Sequence, residues 1–127
     1  MPMKRILVVE DEPSVLKMIQ ARLLYEGFDV LVATDGEDAL RQAFAAPSLQ
    51  LVLLDVDIPK RNGYEVCREL KRQSATAHIP VIMYTGMVTE LRQLATECTN
   101  VGACDWLEKP FETEELISKI RRALGEE

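Results

Sequence analysis

The chain has 127 residues, 47% hydrophobic and 28% charged, which fits one domain with a single core and excludes a chain that is disordered throughout. Its formal net charge of −6 at pH 7 argues against direct nucleic-acid binding. No apolar stretch approaches the roughly 20 residues of a membrane helix, and the first apolar run is too short for a signal peptide. We therefore expect a cytoplasmic protein without a membrane partner.

Strand-like and helix-like segments alternate from one end to the other. Five apolar or alternating stretches predict strands at 4–9, 28–32, 49–54, 79–84 and 104–107. Helical spacing of apolar residues predicts five helices with buried stripes within 15–24, 39–44, 64–70, 88–95 and 116–124. Pro13 suits a helix start, and we expect Asp35 to cap the second helix.

Five successive β-α units predict an α/β fold, with a parallel sheet covered by helices on both faces. We expect a single domain over 1–127, with a linker or a cut after about residue 124. Three cysteines at unrelated spacings, with one histidine in the chain, make a poor zinc set, so we expect reduced thiols that pack as small hydrophobes.

Polar side chains stand at the ends of four predicted strands. They are Glu10 and Asp11, Asp55, Thr85, and Lys109. Ligands of open α/β sheets bind at this edge, outside the carboxyl ends of the strands. Clustered carboxylates suit Mg²⁺, and one of them can then attack phosphorus to give an acyl phosphate. The pattern predicts a site for a divalent cation and a phosphoryl group.

Each residue also has an ordinary structural role open to it. The Glu10-Asp11 pair can cap the helix at Pro13, and Asp55 can cap the turn that follows it. Lys109 can be a surface lysine, and Thr85 a turn residue. The occurrence of all of them in order, each at a strand end, favours the site.

These residues belong to four segments that resemble those of the response-regulator receiver domain of two-component signalling, a CheY-like family. The resemblance extends over essentially the whole chain. The segments are Ile-Leu-Val-Val-Glu-Asp-Glu at 6–12, Leu-Leu-Asp-Val-Asp-Ile-Pro at 53–59 with Asn-Gly-Tyr-Glu-Val at 62–66, Pro-Val-Ile-Met-Tyr-Thr-Gly at 80–86, and Leu-Glu-Lys-Pro-Phe at 107–111. The resemblance implies a flavodoxin-like fold with a five-stranded parallel sheet in the order 2-1-3-4-5.

The resemblance also implies a cofactor and a donor. Asp55 falls on the phosphoacceptor position, which takes a phosphoryl group from a phosphohistidine on a sensor histidine kinase or a histidine phosphotransfer protein. Mg²⁺ would be held by Glu10, Asp11, Asp55 and the backbone carbonyl of Asp57, with Asp11 preferred over Glu10 as a direct ligand.

The other roles that the resemblance implies concern how the domain responds to phosphorylation. Thr85 matches the hydroxyl that reaches the phosphoryl group, Lys109 matches the lysine that pairs with its oxygens, and a cis bond is expected before Pro110. The change would be relayed to the face built from the fourth helix, fifth strand and fifth helix, and from there to a downstream effector domain or protein. This describes a signalling domain with self-catalysed phosphotransfer and autodephosphorylation, and not a conventional enzyme.

Charges on that face also suggest a homodimer. Lys119, Arg121 and Arg122 would meet Asp105, Glu108 or Glu112 of a second copy.

Two features depart from the family pattern. Trp106 occupies the aromatic switch position, usually Tyr or Phe, so it either swings inward on activation or packs statically on the fourth helix. The stretch between Thr85 and Lys109 is about two residues longer than usual, and we place the extra length around 96–101.

A third feature motivates a hypothesis. The Asp57 carboxylate lies near the phosphoryl site and should alter the lifetime of phospho-Asp55, either by repelling the attacking water or by positioning it.

Two rival functions remain. The Asp55-Val56-Asp57 sequence also fits the D-x-D motif of haloacid-dehalogenase-type phosphatases, although that motif normally ends the first strand of the domain. A receiver-like module that binds partners without phosphorylation is the second rival, and the intact acid set argues against it.

Overall fold

Five strands alternate with five helices in the computed structural model, which describes residues 3–46, 48–86 and 91–126. The strands are β1 (Arg5–Val9), β2 (Asp29–Ala33), β3 (Leu49–Asp55), β4 (Val81–Thr85) and β5 (Asp105–Glu108). The helices are α1 (Pro13–Tyr25), α2 (Gly36–Ala45), α3 (Gly63–Arg72), α4 (Leu91–Val101) and α5 (Thr113–Ala123). The alternation predicted from the sequence is confirmed.

All four strand pairings are parallel, and the sheet order is β2-β1-β3-β4-β5. The predicted flavodoxin-like order is therefore confirmed. The register places Asp55 opposite Tyr84 and Thr85 opposite Glu108. Because neighbouring parallel strands end at the same edge, the residues that follow β1, β3, β4 and β5 are brought together.

Two helix starts are fixed by side chains that accept backbone N–H groups. Asp35 accepts from the N–H of Asp38 at 2.8 Å, as its predicted capping role requires. Asn62 and Glu65 form a reciprocal capping box at the start of α3. These caps satisfy orphan donors at the helix ends nearest the polar edge of the sheet.

The core has two parts, one on each face of the sheet. On one face, α1 and α5 pack against the sheet through Ile19, Leu23, Leu116, Ile117 and Ile120. On the other face, α2, α3 and α4 supply Ala39, Leu40, Ala43, Val66, Cys67, Leu70, Leu94, Cys98 and Val101. The predicted buried stripes within 15–24 and 39–44 included Met18, Leu24 and Phe44, and this was wrong, because these side chains are 44%, 52% and 46% exposed. Each lies on the solvent side of a helix whose buried stripe is narrower than the run of apolar letters.

Element ends differ from the predictions by one or two residues. The prediction that β4 begins at Ile79 was wrong, because Pro80 has no N–H for a ladder and the strand starts at Val81. β5 is shifted one residue later than predicted. The part of the fourth predicted helix that includes Val88 lies outside the described residues.

The cysteines carry free thiols, as expected. Cys67 and Cys98 are buried, as expected of small hydrophobes, but the expectation was wrong for Cys104, which is exposed. Among the described residues, no helix is both long and apolar enough to cross a membrane.

Candidate functional site

The polar edge of the sheet brings together the residues predicted from the strand ends. Glu10 follows β1, Asp55 ends β3, Thr85 ends β4, and Lys109 follows β5. Glu10 and Asp55 are almost fully buried, at 0% and 2% exposed. Buried carboxylates need partners, and the structure supplies them.

Lys109 is the cation of this group. Its Nζ lies 3.2 Å from Asp55 Oδ2 and 3.2 Å from Glu10 Oε1. The Lys109 side chain is 22% exposed, so a surface-lysine role is ruled out. The Lys109–Pro110 peptide bond is cis, as the resemblance implied.

Asp55 is held in a costly position. Its Oδ1 accepts a hydrogen bond from the backbone N–H of Asp57 at 3.0 Å, and its Oδ2 accepts one from the Lys109 ammonium at 3.2 Å. Burial raises the pKa of Asp55 to about 6; the Asp57 N–H opposes that rise, and the Glu10 charge adds to it. Burial lowers the pKa of Lys109, but Asp55 and Glu10 outweigh it, so this pKa is raised. Asp55 Oδ2 thus lies beside the positive charge of Lys109, which opposes the effect of burial and of the Glu10 charge on the Asp55 carboxylate.

Three carboxylates at this edge form a group that can hold a metal ion. Glu10, Asp11 and Asp55 each offer an oxygen, and the three oxygens lie within 4.8 Å of one another. Asp11 is exposed, so the group opens to solvent on one side. A set of hard oxygen donors with room for water fits Mg²⁺ better than a softer cation.

The Asp57 side chain takes a different direction. Its Oδ2 accepts a hydrogen bond from the Thr85 hydroxyl. Thr85 is the last residue of β4 and is 4% exposed, which does not fit a simple turn residue. The Thr85 hydroxyl, which the family resemblance assigns to the phosphoryl group, is therefore hydrogen-bonded to the exposed Asp57.

Trp106 is half-buried and packs against the core on the α4 side of the sheet. Its place opposite Met83 in the β4–β5 ladder fixes this direction. The packing agrees with the static alternative for the resting protein, and its movement on activation stays a prediction. Residues 96–101, where we placed the extra length, lie in the C-terminal part of α4.

The loop between β3 and α3 closes tightly over Asp55. A Cβ at Gly63 would lie 2.5 Å from the Asp55 carbonyl oxygen, so only glycine fits there. The Gly63 N–H donates to the Val56 carbonyl at 2.9 Å. Lys60 in this loop has a positive φ of 71°, in the left-handed region. The loop is thus constrained to deliver the backbone of Asp57 to the site.

Tyr84 is a site residue that the strand-end argument missed. Its hydroxyl donates to Glu10 Oε1 at 2.8 Å, deep in the core. The sequence did offer an indication: a phenol in a buried strand needs a hydrogen-bond partner. Nothing in the sequence alone identified that partner as Glu10.

The capping alternatives are partly realised. Glu12, and not Glu10 or Asp11, occupies the N-cap of α1, and it makes no side-chain capping bond. Glu10 Oε2 accepts the Glu12 N–H at 3.1 Å. Asp55 does accept a local N–H, from Asp57. These local bonds orient the carboxylates, and their other oxygens face Lys109 and, for Glu10, also Tyr84.

Comparison with known proteins identifies a family to which the sequence and the fold are similar. The family model for the response regulator receiver domain matches residues 6–121. The transcriptional regulatory protein CpxR of Klebsiella pneumoniae is 44% identical over 123 residues, covering 96% of this chain and 50% of CpxR. The probable transcriptional regulator ycf27 of Cyanophora paradoxa is 42% identical, covering 95% of this chain and 48% of ycf27. The chain spans about half the length of these curated relatives.

Solved structures agree in fold. CheY4 of Vibrio cholerae, a chemotaxis protein, has a TM-score of 0.88 at 32% identity, covering 97% of this chain and 100% of CheY4. The receiver domain of the sensor histidine kinase PA1611 from Pseudomonas aeruginosa has a TM-score of 0.87 at 31% identity, covering 98% of this chain and 99% of that domain. That domain was crystallised with a magnesium ion coordinated in its active-site cleft.

Proposed function

This chain belongs to the response regulator receiver domain family, and we propose that it is a Mg²⁺-dependent phosphoacceptor switch whose phosphorylated residue is Asp55. The observation that carries the proposal is the position of Asp55, which is buried at the end of β3 and bonded to Lys109. A carboxylate in that place is both shielded from bulk water and matched with a cation. The haloacid-dehalogenase alternative is not favoured, because the receiver family model covers nearly the whole chain.

The chain's own groups account for the transfer. An oxygen of Asp55 attacks phosphorus and forms an acyl phosphate, while the bond from phosphorus to the donor breaks and the electron pair leaves with the donor imidazole. Negative charge spreads over the three equatorial oxygens of the group in transfer. The Lys109 ammonium, already 3.2 Å from Asp55 Oδ2, is placed to receive one of them.

Mg²⁺ would be held by oxygens of Glu10, Asp11 and Asp55 and by the backbone carbonyl of Asp57. When bound, it supplies positive charge that offsets the clustered carboxylates and the phosphoryl oxygens. Hydrolysis of the acyl phosphate by water would return the domain to its resting state. The activity is therefore that of a signalling domain which contributes to its own phosphorylation and dephosphorylation.

The response would involve Thr85, Trp106 and the face formed by α4, β5 and α5, through a shift between two conformations. The donor would be a sensor histidine kinase or a histidine phosphotransfer protein in the cytoplasm, and the recipient an effector domain or protein. Domain limits of 1–127 are part of this proposal.

A homodimer through the same face is also part of the proposal. Two of the basic residues that we assigned to it are engaged within the chain. Lys119 pairs with Asp105 at 2.8 Å, and Arg121 pairs with Glu26 at 3.0 Å. A dimer that used these cations would have to exchange intramolecular pairs for intermolecular ones.

The direct test is labelling of the protein by acetyl phosphate, detected as an increase in intact mass. We expect one phosphoryl group per chain, loss of labelling when Mg²⁺ is chelated, and loss in Asp55→Ala. Glu115→Ala, which removes an exposed carboxylate of α5, is the matched control and should be labelled like wild type. Labelling that persists in Asp55→Ala would refute the assignment.

The same assay separates the rival functions. A phosphatase would release many equivalents of phosphate from small substrates. A binding module without phosphotransfer would show no Mg²⁺-dependent label at any donor concentration.

A further inference from the structure

Tyr84 inserts a phenol into the acidic site. The whole residue is buried, at 0% exposed, on the side of the sheet that packs against α1 and α5. Its hydroxyl donates to Glu10 Oε1 at 2.8 Å and lies 3.4 Å from the Val9 carbonyl. Its ring lies 5.1 Å from Lys109 Nζ and meets Phe111 edge-on at 5.7 Å. Packing on both sides leaves the hydroxyl little freedom to turn elsewhere.

One oxygen of Glu10 serves two donors. Oε1 receives both the Tyr84 hydroxyl and the Lys109 ammonium, while Oε2 accepts the backbone N–H of Glu12. The carboxylate is 0% exposed, so water cannot replace a lost partner easily. These three groups are the partners of the Glu10 carboxylate among the described residues.

Phosphorylation changes the demand on Lys109. The ammonium is shared between Asp55 and Glu10 at 3.2 Å each, and in the proposed function it turns towards an oxygen of the phosphoryl group. Glu10 then loses part or all of its ion pair with Lys109, and its charge depends on its hydrogen bonds and on the Mg²⁺ that it would help to hold. Removing the partner of a buried charge is strongly unfavourable unless other donors remain. The Tyr84 hydroxyl is such a donor, because it is neutral and fixed by packing.

We propose that Tyr84 is a positioning residue of the phosphotransfer reaction, whose hydroxyl retains Glu10 Oε1 while Lys109 moves to the phosphoryl group. This inference rests on the proposed function. The Tyr84 hydroxyl bonds to Glu10 and Val9, and it would act on the phosphoryl group through Glu10. The Tyr84 hydroxyl would lower the free-energy cost of moving Lys109 from Glu10 to the phosphoryl group.

The test variant is Tyr84→Phe, which removes the hydroxyl and keeps the ring. At saturating Mg²⁺ we expect the rate constant for labelling by acetyl phosphate to fall roughly tenfold, as expected for loss of a hydrogen bond to a buried charge. The Mg²⁺ dissociation constant of each variant is measured by calorimetry, and the rates are compared at saturating Mg²⁺, because the hydroxyl bonds Glu10, one of the residues that would hold the ion. Tyr25→Phe makes the same change at a tyrosine that is 83% exposed, and it should label like wild type.

A double-mutant cycle distinguishes positioning from a general structural effect. In a Glu10→Ala background, Tyr84→Phe should change the labelling rate by less than about twofold, because the group through which Tyr84 acts is gone. An equally large loss in that background would overturn the inference.

Two other outcomes are decisive. Equal rates in Tyr84→Phe and wild type would overturn this inference and leave Asp55 as the phosphoacceptor. A wild-type chain that is not labelled at all would overturn both this inference and the proposed function.

Discussion

Replacing Asp55 by asparagine should stabilise the metal-free protein. Burial raises the pKa of Asp55 from its ordinary 3.8 to about 6, even with Lys109 beside it. A shift of about two units means that keeping this carboxylate charged in the folded state costs about 3 kcal/mol at neutral pH. An asparagine side chain has a similar shape and no charge, so Asp55→Asn removes that cost.

The gain in the free energy of unfolding of Asp55→Asn should depend on pH. A carboxyl group whose pKa is raised by folding binds a proton more readily in the folded state. The cost of its charge is therefore fully present above about pH 6, fades as the pH falls from 6 towards 3.8, and is absent below that. We expect Asp55→Asn to gain about 3 kcal/mol at pH 7.5 and less than about 1 kcal/mol at pH 4.

Urea unfolding in the presence of EDTA measures both values. The fluorescence of Trp106, the only tryptophan of the chain, reports the transition. Glu115→Gln, the same chemical change at an exposed carboxylate, should shift stability by less than about 0.5 kcal/mol. The reasoning is refuted if Asp55→Asn is no more stable than wild type at pH 7.5, or if its gain is unchanged at pH 4.

Three further changes have predicted outcomes. Gly63→Ala would set a Cβ 2.5 Å from the Asp55 carbonyl oxygen, so unfolding free energy should fall by about 1 to 3 kcal/mol in urea; an unchanged midpoint would contradict this. Lys60→Gly relieves a positive φ of 71° and should raise stability by up to about 1 kcal/mol, whereas a loss would show that the side chain matters more. Asp57→Ala removes the hydrogen bond that the Thr85 hydroxyl donates to the Asp57 carboxylate and should raise affinity for beryllofluoride, a phosphoryl analogue, about fivefold. Equal affinities would show that this bond does not oppose activation, and an unchanged dephosphorylation rate would end the hypothesis on the lifetime of phospho-Asp55.

Much of the site was predictable because strand ends in a parallel sheet share one edge. The sequence places Glu10, Asp55 and Thr85 directly after apolar runs, and Lys109 one residue after the short run Trp106-Leu107. Once those runs are read as neighbouring parallel strands, their end residues must converge. The strand order itself came from family resemblance, since periodicity alone does not say which strands are adjacent.

Side-chain pairings were not predictable in the same way. Asp57 lies two residues beyond the end of β3, where strand alternation no longer fixes direction, and its contact with Thr85 depends on the course of the loop. The Tyr84–Glu10 bond needs the register between β1, β3 and β4, which sets two residues 74 positions apart side by side. Exposure of Met18 and Phe44 also required the packed helices, because apolar letters at the margin of a stripe do not show where the stripe ends.

Strand alternation divides the site into two sides that share one backbone. Side chains of successive residues point to opposite faces, so Tyr84 reaches the Glu10–Lys109 side and Thr85 turns to Asp57 on the other. Lys109 donates its backbone N–H to the Thr85 carbonyl at 2.9 Å, which ties the end of β4 to the residue after β5. A displacement of Lys109 towards a phosphoryl group would therefore pull on the backbone that carries Thr85. Trp106 lies in β5, the short strand that precedes Lys109, and it packs on the α4 side of the sheet. In the proposed function, phosphorylation of Asp55 and the proposed output face would be joined by a ladder of backbone bonds, and no chain of side chains across the core would be required.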